Sequence, residues 1–188
     1  MGKKRRNPTE EPKFLSTTEA KAVVETYFEK AKKNAVRAAL CGGFAMQLYG
    51  SDRLTKDIDF MADDLLSDRP AGNLSFGGVR YDAGETVVDW IVREDEQDFL
   101  YQAALEDRMR GPSGFWIIRP EWLALIKHLA RRPKDELDLT YLLTAPGLVD
   151  RSKVLSHIKK HFGRGAFSTI DELKQAFSEA DWRKTRGG

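Results

Sequence analysis

Residues 36–62 read VRAALCGGFAMQLYGSDRLTKDIDFMA, and this stretch carries most of the information about the fold. The apolar run 36–41 predicts a short strand, and residues 56–62 predict a second one. Between them, the glycine pair 42–43 predicts a turn, and residues 44–49 predict a short helix. A strand, a glycine turn, a helix and another strand therefore follow one another directly.

The second of these strands carries two carboxylates on one face. Side chains alternate along a strand, so Asp57 and Asp59 share one side while Ile58 and Phe60 share the other and can enter the core. Paired carboxylates repel each other, and a divalent cation relieves that repulsion; oxygen ligands of this kind suit Mg²⁺. Two exposed aspartates on an edge strand would give the same pattern, so the motif alone leaves both interpretations open.

The glycine pair lies where a strand passes into a helix. Without side chains, Gly42 and Gly43 let a phosphate approach the backbone, and the first amides of a helix are unpaired donors. Most such pairs are plain turns. Their combination with Gly50, Arg53, Thr55 and the Asp-Ile-Asp strand is more specific, and it predicts one site for a triphosphate and its metal ions.

A third carboxylate is the best candidate to complete this site. Asp89 lies in residues 86–92, an otherwise apolar strand that we predict to form a hairpin with residues 76–81. A buried carboxylate needs a partner, because unpaired burial is costly. A metal ion is one such partner, and a salt bridge or a position at the strand end is the alternative.

The order of the elements predicts the fold class. Residues 1–15 are basic and aperiodic, and we expect a disordered tail there. Ser16 and Glu19 predict a capping box at the start of the first helix. Residues 16–118 contain all the predicted strands, and residues 119–188 are predicted to be helical. We therefore expect an α+β protein, with a small mixed β-sheet, helices packed on it and a helical C-terminal part.

The net charge and the cysteine content indicate the class of protein and the compartment in which it occurs. The net charge of +2 in 188 residues provides no global basic field, although basic residues cluster in residues 3–6 and 183–186. Such termini are either solvated tails or contacts to a nucleic-acid backbone. The single cysteine, Cys41, excludes an intrachain disulfide and indicates a reducing compartment. No apolar stretch suggests a membrane span or a signal peptide, so we predict a cytoplasmic protein without a membrane partner.

Two segments carry a family likeness. The pattern G-G-x-A-x-x-x-x-G-x-x-R-x-T-x-D-I-D in residues 42–59 resembles the DNA polymerase β-like nucleotidyltransferase superfamily, in which Gly-Ser is more usual than Gly-Gly. Residues 119–139 resemble the AbiEii-type and related small bacterial nucleotidyltransferases, some of which are toxins of toxin–antitoxin pairs. Members of that group carry a helical lysine and then a Lys/Arg-Asp-x-x-Asp-Leu motif, here Lys127, Lys134, Asp135, Asp138 and Leu139.

The resemblance implies that residues 16–118 form a nucleotidyltransferase core. This core would transfer a nucleoside monophosphate from a nucleoside triphosphate such as ATP to a hydroxyl, with release of pyrophosphate. The implied catalytic residues are Asp57, Asp59, Asp89 and Lys127. The three aspartates would bind two Mg²⁺ ions, or Mn²⁺ in their place.

The resemblance also implies which residues bind the nucleotide. The amides of Gly42 and Gly43 would hold the β- and γ-phosphates, and Lys127 would neutralise the triphosphate as a point charge. Arg53 and Thr55 either join this nucleotide site or brace the loop before the strand.

The two acidic residues of the second motif have their own predicted partners. Asp135 and Asp138 are expected to fix Lys127, Arg131 or Arg132. A purely structural alternative is that these carboxylates interact with the dipole at the start of a helix.

The acceptor of the nucleotide stays open at this point. An RNA such as a tRNA 3′ end, a protein side chain and a small molecule such as an antibiotic all offer a hydroxyl. The toxin relatives add an antitoxin protein as a further partner. Two other classes of protein compete with the enzyme: a non-catalytic nucleotide- or partner-binding module with the same fold, and a nucleic-acid-binding protein that uses its basic tail.

Overall fold

The computed structural model of this chain describes residues 16–111 and 113–186, so the basic tail predicted for residues 1–15 lies outside the described part. The described strands are β1 (Ala38–Cys41), β2 (Asp57–Ala62), β3 (Gly72–Asn73), β4 (Val79–Ala83), β5 (Thr86–Ile91), β6 (Met109–Arg110) and β7 (Trp116–Ile117). The helices are α1 (Thr17–Lys33), α2 (Gly42–Leu48), α3 (Asp98–Glu106), α4 (Pro120–Ala130), α5 (Pro133–Thr144), α6 (Arg151–His161) and α7 (Ala166–Arg186), with one 3₁₀ turn (Gly163–Gly165).

The strands form one mixed sheet in the order β3-β4-β5-β2-β1-β7-β6. β2 pairs antiparallel with β1 and parallel with β5. Helices α1, α2 and α3 pack on the sheet, and α4, α5, α6 and α7 contact one another in the C-terminal half of the chain. The predicted α+β class is confirmed.

The first helix is fixed at its start and along one face. The Ser16 backbone N–H donates to Glu19 at 3.0 Å and the Glu19 N–H donates to the Ser16 hydroxyl at 3.3 Å, which confirms the predicted capping box. The apolar stripe of α1 is buried against the sheet, and Tyr27 contacts Phe60 and Trp90 at ring distances of 6.1 and 6.3 Å. This aromatic contact places α1 over the centre of the sheet.

Some element boundaries differ from the sequence prediction. The helix after β1 begins at Gly42 rather than at residue 44, so the glycine pair is the first part of α2 and not a separate turn. The acidic helix ends at Glu106, because residues 109–110 join the sheet as β6. The two-residue strands β3 and β6 were not predicted, since two residues are too few to show a periodicity.

The C-terminal helices begin where prolines allow. Pro120 and Pro133 occupy the first turns of α4 and α5, where a missing N–H costs no helical hydrogen bond. Between the two helices, Arg131 adopts a left-handed conformation with φ of 51° and ends α4. In residues 16–111 and 113–186, none of the helices combines the length and apolarity needed to cross a bilayer.

Candidate metal and triphosphate site

Three carboxylates meet at one edge of the β2–β5 pair. Asp57 and Asp59 extend from β2, and Asp89 extends from β5 directly opposite Asp59 in the parallel register. One carboxylate oxygen of each residue lies within 4.8 Å of the others. We call these three residues the acidic triad. The structure thus brings together the three residues predicted to ligate metal.

The acidic triad is electrostatically strained without a cation. Burial and the charges of Asp57 and Asp89 together raise the pKa of Asp59 to about 7, against the opposing effects of the Gly43 N–H and Lys127. Burial and repulsion between like charges both disfavour the ionised form of Asp59. An oxygen-only donor set with excess negative charge fits a hard divalent cation such as Mg²⁺.

Gly42 makes room for the central carboxylate of the triad. Its φ is +60°, and a Cβ atom at this position would lie 1.8 Å from Oδ2 of Asp59. The register pairs Cys41, the last residue of β1, with Asp59. The next residue, Gly42, therefore lies against the Asp59 side chain. The absence of a side chain at Gly42 is therefore a condition for the triad geometry.

Replacing Gly42 with alanine will displace the Asp59 carboxylate and weaken metal binding. The expected result is that millimolar Mg²⁺ raises the melting temperature of the wild-type protein and not that of the variant, measured by differential scanning fluorimetry with and without the ion. Gly84→Ala is the matched control, because Gly84 has φ of +77° but no atom within 4 Å of a Cβ. Both variants carry backbone strain of about 1–2 kcal/mol, so equal Mg²⁺ responses in the two would contradict this role of Gly42.

Gly43 and Thr55 each donate a hydrogen bond to a carboxylate of the triad. The Gly43 N–H donates to Oδ2 of Asp59 at 3.3 Å, and the Thr55 hydroxyl donates to Oδ1 of Asp57 at 2.9 Å. A Cβ on Gly43 would approach the Thr55 hydroxyl to 2.5 Å, so the two segments touch closely. Thr55 also bonds the backbone carbonyl of Asp57, the first residue of β2, as expected if it braces the loop before that strand. Direct binding of phosphate by Gly43, Arg53 and Thr55 stays a prediction.

Lys127 lies in the pocket wall but its charge is already balanced. Its ammonium is 2.7 Å from Oδ1 of Asp135 and 2.7 Å from Oδ2 of Asp138. All three side chains are almost fully buried, with 7%, 0% and 2% of their surface exposed. Of the three predicted partners, Lys127 is bound by both aspartates, which confirms that part of the prediction, whereas Arg131 is bound to Glu172.

Two arginines extend this buried contact into an ion network. Arg53 binds Asp138 at 2.5 Å, and Arg132 binds Asp135. Burial would raise the pKa of Asp135, but hydrogen bonds from Arg132 and Lys127 outweigh it and hold the pKa below its ordinary value. We call Lys127, Asp135, Asp138 and these two arginines the Lys127 network. It ties α4 and α5 to the loop before β2.

The acidic triad opens into a pocket of about 510 Å³. Its wall contains four acidic and five basic side chains, namely Asp57, Asp59, Asp89, Asp135, Arg80, Arg93, Lys127, Arg132 and Lys134. The basic residues exceed the acidic ones before any metal is counted. A concave wall of this composition attracts an anion.

Arg80 is the functional candidate that sequence reasoning missed. It lies on β4 opposite Asp89 of β5, and its guanidinium binds both oxygens of that carboxylate, Nε to Oδ1 at 2.6 Å and Nη2 to Oδ2 at 2.7 Å. The salt bridge that was the alternative to metal binding at Asp89 is therefore present, between Asp89 of the triad and Arg80 of β4. The sequence shows only that Arg80 stands between Val79 and Tyr81, which are buried, and so faces away from them; which residue it meets depends on the strand register.

The far wall of the pocket is aromatic. The Arg93 guanidinium lies over the rings of Tyr101 and Phe76, at 5.0 and 6.0 Å from their centroids. Phe76 keeps 36% of its surface exposed. This wall offers a flat surface next to the charged site, which the sequence did not indicate because the three residues are far apart along the chain.

The fold is that of a known group of structures. A crystal structure of an antigenic nucleotidyltransferase-like protein from Paracoccidioides brasiliensis is similar, with a TM-score of 0.53 and 19% sequence identity over 92% of this chain and 95% of that chain. No protein-family model matches the chain, and no curated protein matches it either. The likeness therefore concerns the fold, and the AbiEii-type subgroup is not confirmed by it.

Proposed function

We propose that this protein is a metal-dependent nucleotidyltransferase that moves a nucleoside monophosphate from a nucleoside triphosphate to a hydroxyl. The observation that carries the proposal is the acidic triad, formed by Asp57, Asp59 and Asp89 at the floor of a basic pocket. The likeness to a nucleotidyltransferase-like fold supports it. Phosphoryl chemistry of this kind needs cations at the reacting phosphate, and the chain provides a place for them.

Each member of the triad has a distinct support for holding a divalent ion. Asp59 is positioned by the Gly43 N–H, Asp57 by the Thr55 hydroxyl, and Asp89 by its place on β5. When bound, Mg²⁺ or Mn²⁺ supplies Lewis-acid stabilisation of charge on the transferring phosphoryl group and lowers the pKa of the attacking hydroxyl. The three carboxylates would hold such an ion at the floor of the pocket.

The basic wall is the proposed binding surface for the triphosphate. Lys134 lines the pocket, is exposed and forms no ion pair with any described residue, so its three N–H donors are available. Lys127 acts at longer range, since its charge lowers the pKa of Asp59 even though its ammonium is bonded to Asp135. We infer that Lys127 lowers the pKa of Asp59 and fixes the pocket wall through its bonds to α5, while Lys134 contacts phosphate.

The acceptor is proposed to be a hydroxyl of an RNA or a protein. The triphosphate and the acceptor must both reach the triad through the same pocket, whose mouth between β4 and α5 includes exposed groups such as Arg80 and Lys134. A toxin role with an antitoxin partner rests on the resemblance of residues 119–139 alone. A small-molecule acceptor such as an aminoglycoside is a further outcome of the test below.

Transfer of an α-phosphate label is the decisive test. The protein is incubated with Mg²⁺ and triphosphates labelled at the α- or the γ-phosphate, together with total RNA, a protein extract or an aminoglycoside. We expect the α-label to become covalently attached to one acceptor class, and the γ-label to leave as pyrophosphate. Chelation of the metal by EDTA will stop the reaction.

Two results would contradict the proposal. Attachment of the γ-label would indicate a kinase. Tight triphosphate binding without any transfer, across all four nucleotides and all three acceptor classes, would indicate the non-catalytic module.

A further inference from the structure

Arg80 occupies the carboxylate that the proposed metal site needs. Its guanidinium forms two parallel hydrogen bonds with Asp89, at 2.6 and 2.7 Å, in the bidentate geometry that is strongest for this pair. The Asp89 side chain is 8% exposed and held on a central strand, whereas the Arg80 side chain is 45% exposed. The carboxylate is therefore fixed and the arginine is the partner that can move.

A divalent ion and this guanidinium compete for the same oxygens. A carboxylate offers about four lone-pair sites, and the bidentate arginine uses one on each oxygen. A second cation placed on Asp89 would also lie within a few ångströms of the guanidinium charge, which is unfavourable in a partly buried site. While it is bound to Asp89, Arg80 thus disfavours metal at that carboxylate.

The free-energy cost of moving Arg80 away from Asp89 is offset only if another cation takes its place. An ionised carboxylate that loses its partner while buried is strongly destabilised. Metal at Asp89 meets that condition, and a triphosphate in the pocket offers Arg80 a more highly charged partner than the single carboxylate it leaves. Arg80 lines the pocket beside the triad, so phosphate oxygens bound there come within its reach.

The other arginines of the pocket wall cannot make this exchange. Arg132 binds Asp135, which is 0% exposed and is not a member of the triad, so its departure would free no candidate metal ligand. Arg93 is 10% exposed and bound to Asp95 outside the triad. Among the described arginines that line the pocket, Arg80 is the one whose present partner is itself a candidate metal ligand.

We propose that Arg80 is a triphosphate-binding residue that Asp89 holds until the substrate arrives, and that it exchanges Asp89 for phosphate oxygens as a divalent ion takes its place on the carboxylate. The exchange rests on the proposed function, since it requires a triphosphate in this pocket. It makes binding of metal and of nucleotide mutually dependent, because each removes the obstacle to the other. Arg80 thereby limits loading of the metal site in the absence of nucleotide.

The test uses Arg80→Gln and two affinities that should change in opposite directions. Mn²⁺ binding to the nucleotide-free protein, measured by electron paramagnetic resonance, should become roughly tenfold tighter in the variant, because the competing charge-assisted hydrogen bonds are gone. Binding of an ATP analogue with a methylene group between the α- and β-phosphates, measured by calorimetry with Mg²⁺, should become roughly tenfold weaker for loss of the same kind of bond to phosphate. Arg80→Lys, which keeps the charge but not the fork, should lie between wild type and Arg80→Gln in both measurements.

Arg69→Gln is the matched control, because Arg69 is exposed in the loop after β2 and does not line the pocket. Both of its affinities should equal those of the wild type. If Arg80→Gln lowers both affinities together, or changes neither while its melting temperature stays within the range of the control, the exchange is wrong although transfer activity can still stand. If the wild-type protein itself binds no triphosphate, the proposed function fails with it.

Discussion

Asp59→Asn will abolish Mg²⁺-dependent nucleotide transfer while leaving the protein folded. The amide oxygen of asparagine can still accept the Gly43 N–H, so the local packing is retained. What is lost is the negative charge at the centre of the triad, which lies opposite Asp89 in the sheet register. Metal ions contribute several kcal/mol of transition-state stabilisation, so we expect a fall in rate of roughly a thousandfold or more.

Thermal unfolding separates the effect on the site from any effect on the fold. Without metal, Asp59→Asn should be at least as stable as the wild type, because the repulsion with Asp57 and Asp89 that raises the pKa of Asp59 is removed. With Mg²⁺, the wild type should gain stability and Asp59→Asn should not. Asp82→Asn is the control, since Asp82 is exposed on β4, and it should keep both the activity and the Mg²⁺ response. Transfer at the wild-type rate by Asp59→Asn would exclude the triad as the active site.

Asp138→Ala will lower the free energy of unfolding by about 3 kcal/mol, because breaking a buried ion pair leaves its partners uncompensated. Asp138 is 2% exposed and bonds both Arg53 and Lys127. Lys127 retains Asp135, which keeps the effect from being larger. Urea denaturation followed by circular dichroism measures the change.

The control for this stability effect is Glu136→Ala on the same helix. Glu136 is exposed in the first turn of α5, so its replacement should change the unfolding free energy by less than about 0.5 kcal/mol. Transfer activity should also fall in Asp138→Ala, since the network orders the wall that carries Lys127. An unfolding free energy equal to that of Glu136→Ala would show that the network contributes nothing to the fold.

Local patterns were sufficient to predict the main elements and the residues of the triad. The alternation on β2 placed Asp57 and Asp59 on one face, and the glycine pair marked the start of α2. Both patterns arise within a few residues, where strand and helix periods are directly visible in the sequence. Asp89 was identified from the cost of a buried carboxylate in an apolar strand, which is also a local signal.

The partners of these residues could not be predicted in the same way. Arg53 was expected either to bind nucleotide or to brace a loop, and its bond to Asp138 joins segments distant in the chain. Arg80 carried no motif, and its importance follows only from the register that sets it opposite Asp89. Strand register and helix docking are consequences of packing the whole core, so no local window contains them.

The sequence by itself determined which functional groups the chain carries. These are two carboxylates on one strand face, a glycine pair before them, a third acid in an apolar strand and a lysine on a later helix. Only the tertiary structure decided which of these groups face one another. Parallel pairing of β2 with β5 brings the three carboxylates of the triad together. Antiparallel pairing of β5 with β4 places Arg80 opposite Asp89. The packing of α5 against α4 places two aspartates beside Lys127. The physical reason is that side-chain direction is a local property of the backbone, whereas the charge that faces each side chain depends on which distant strand or helix packs against it.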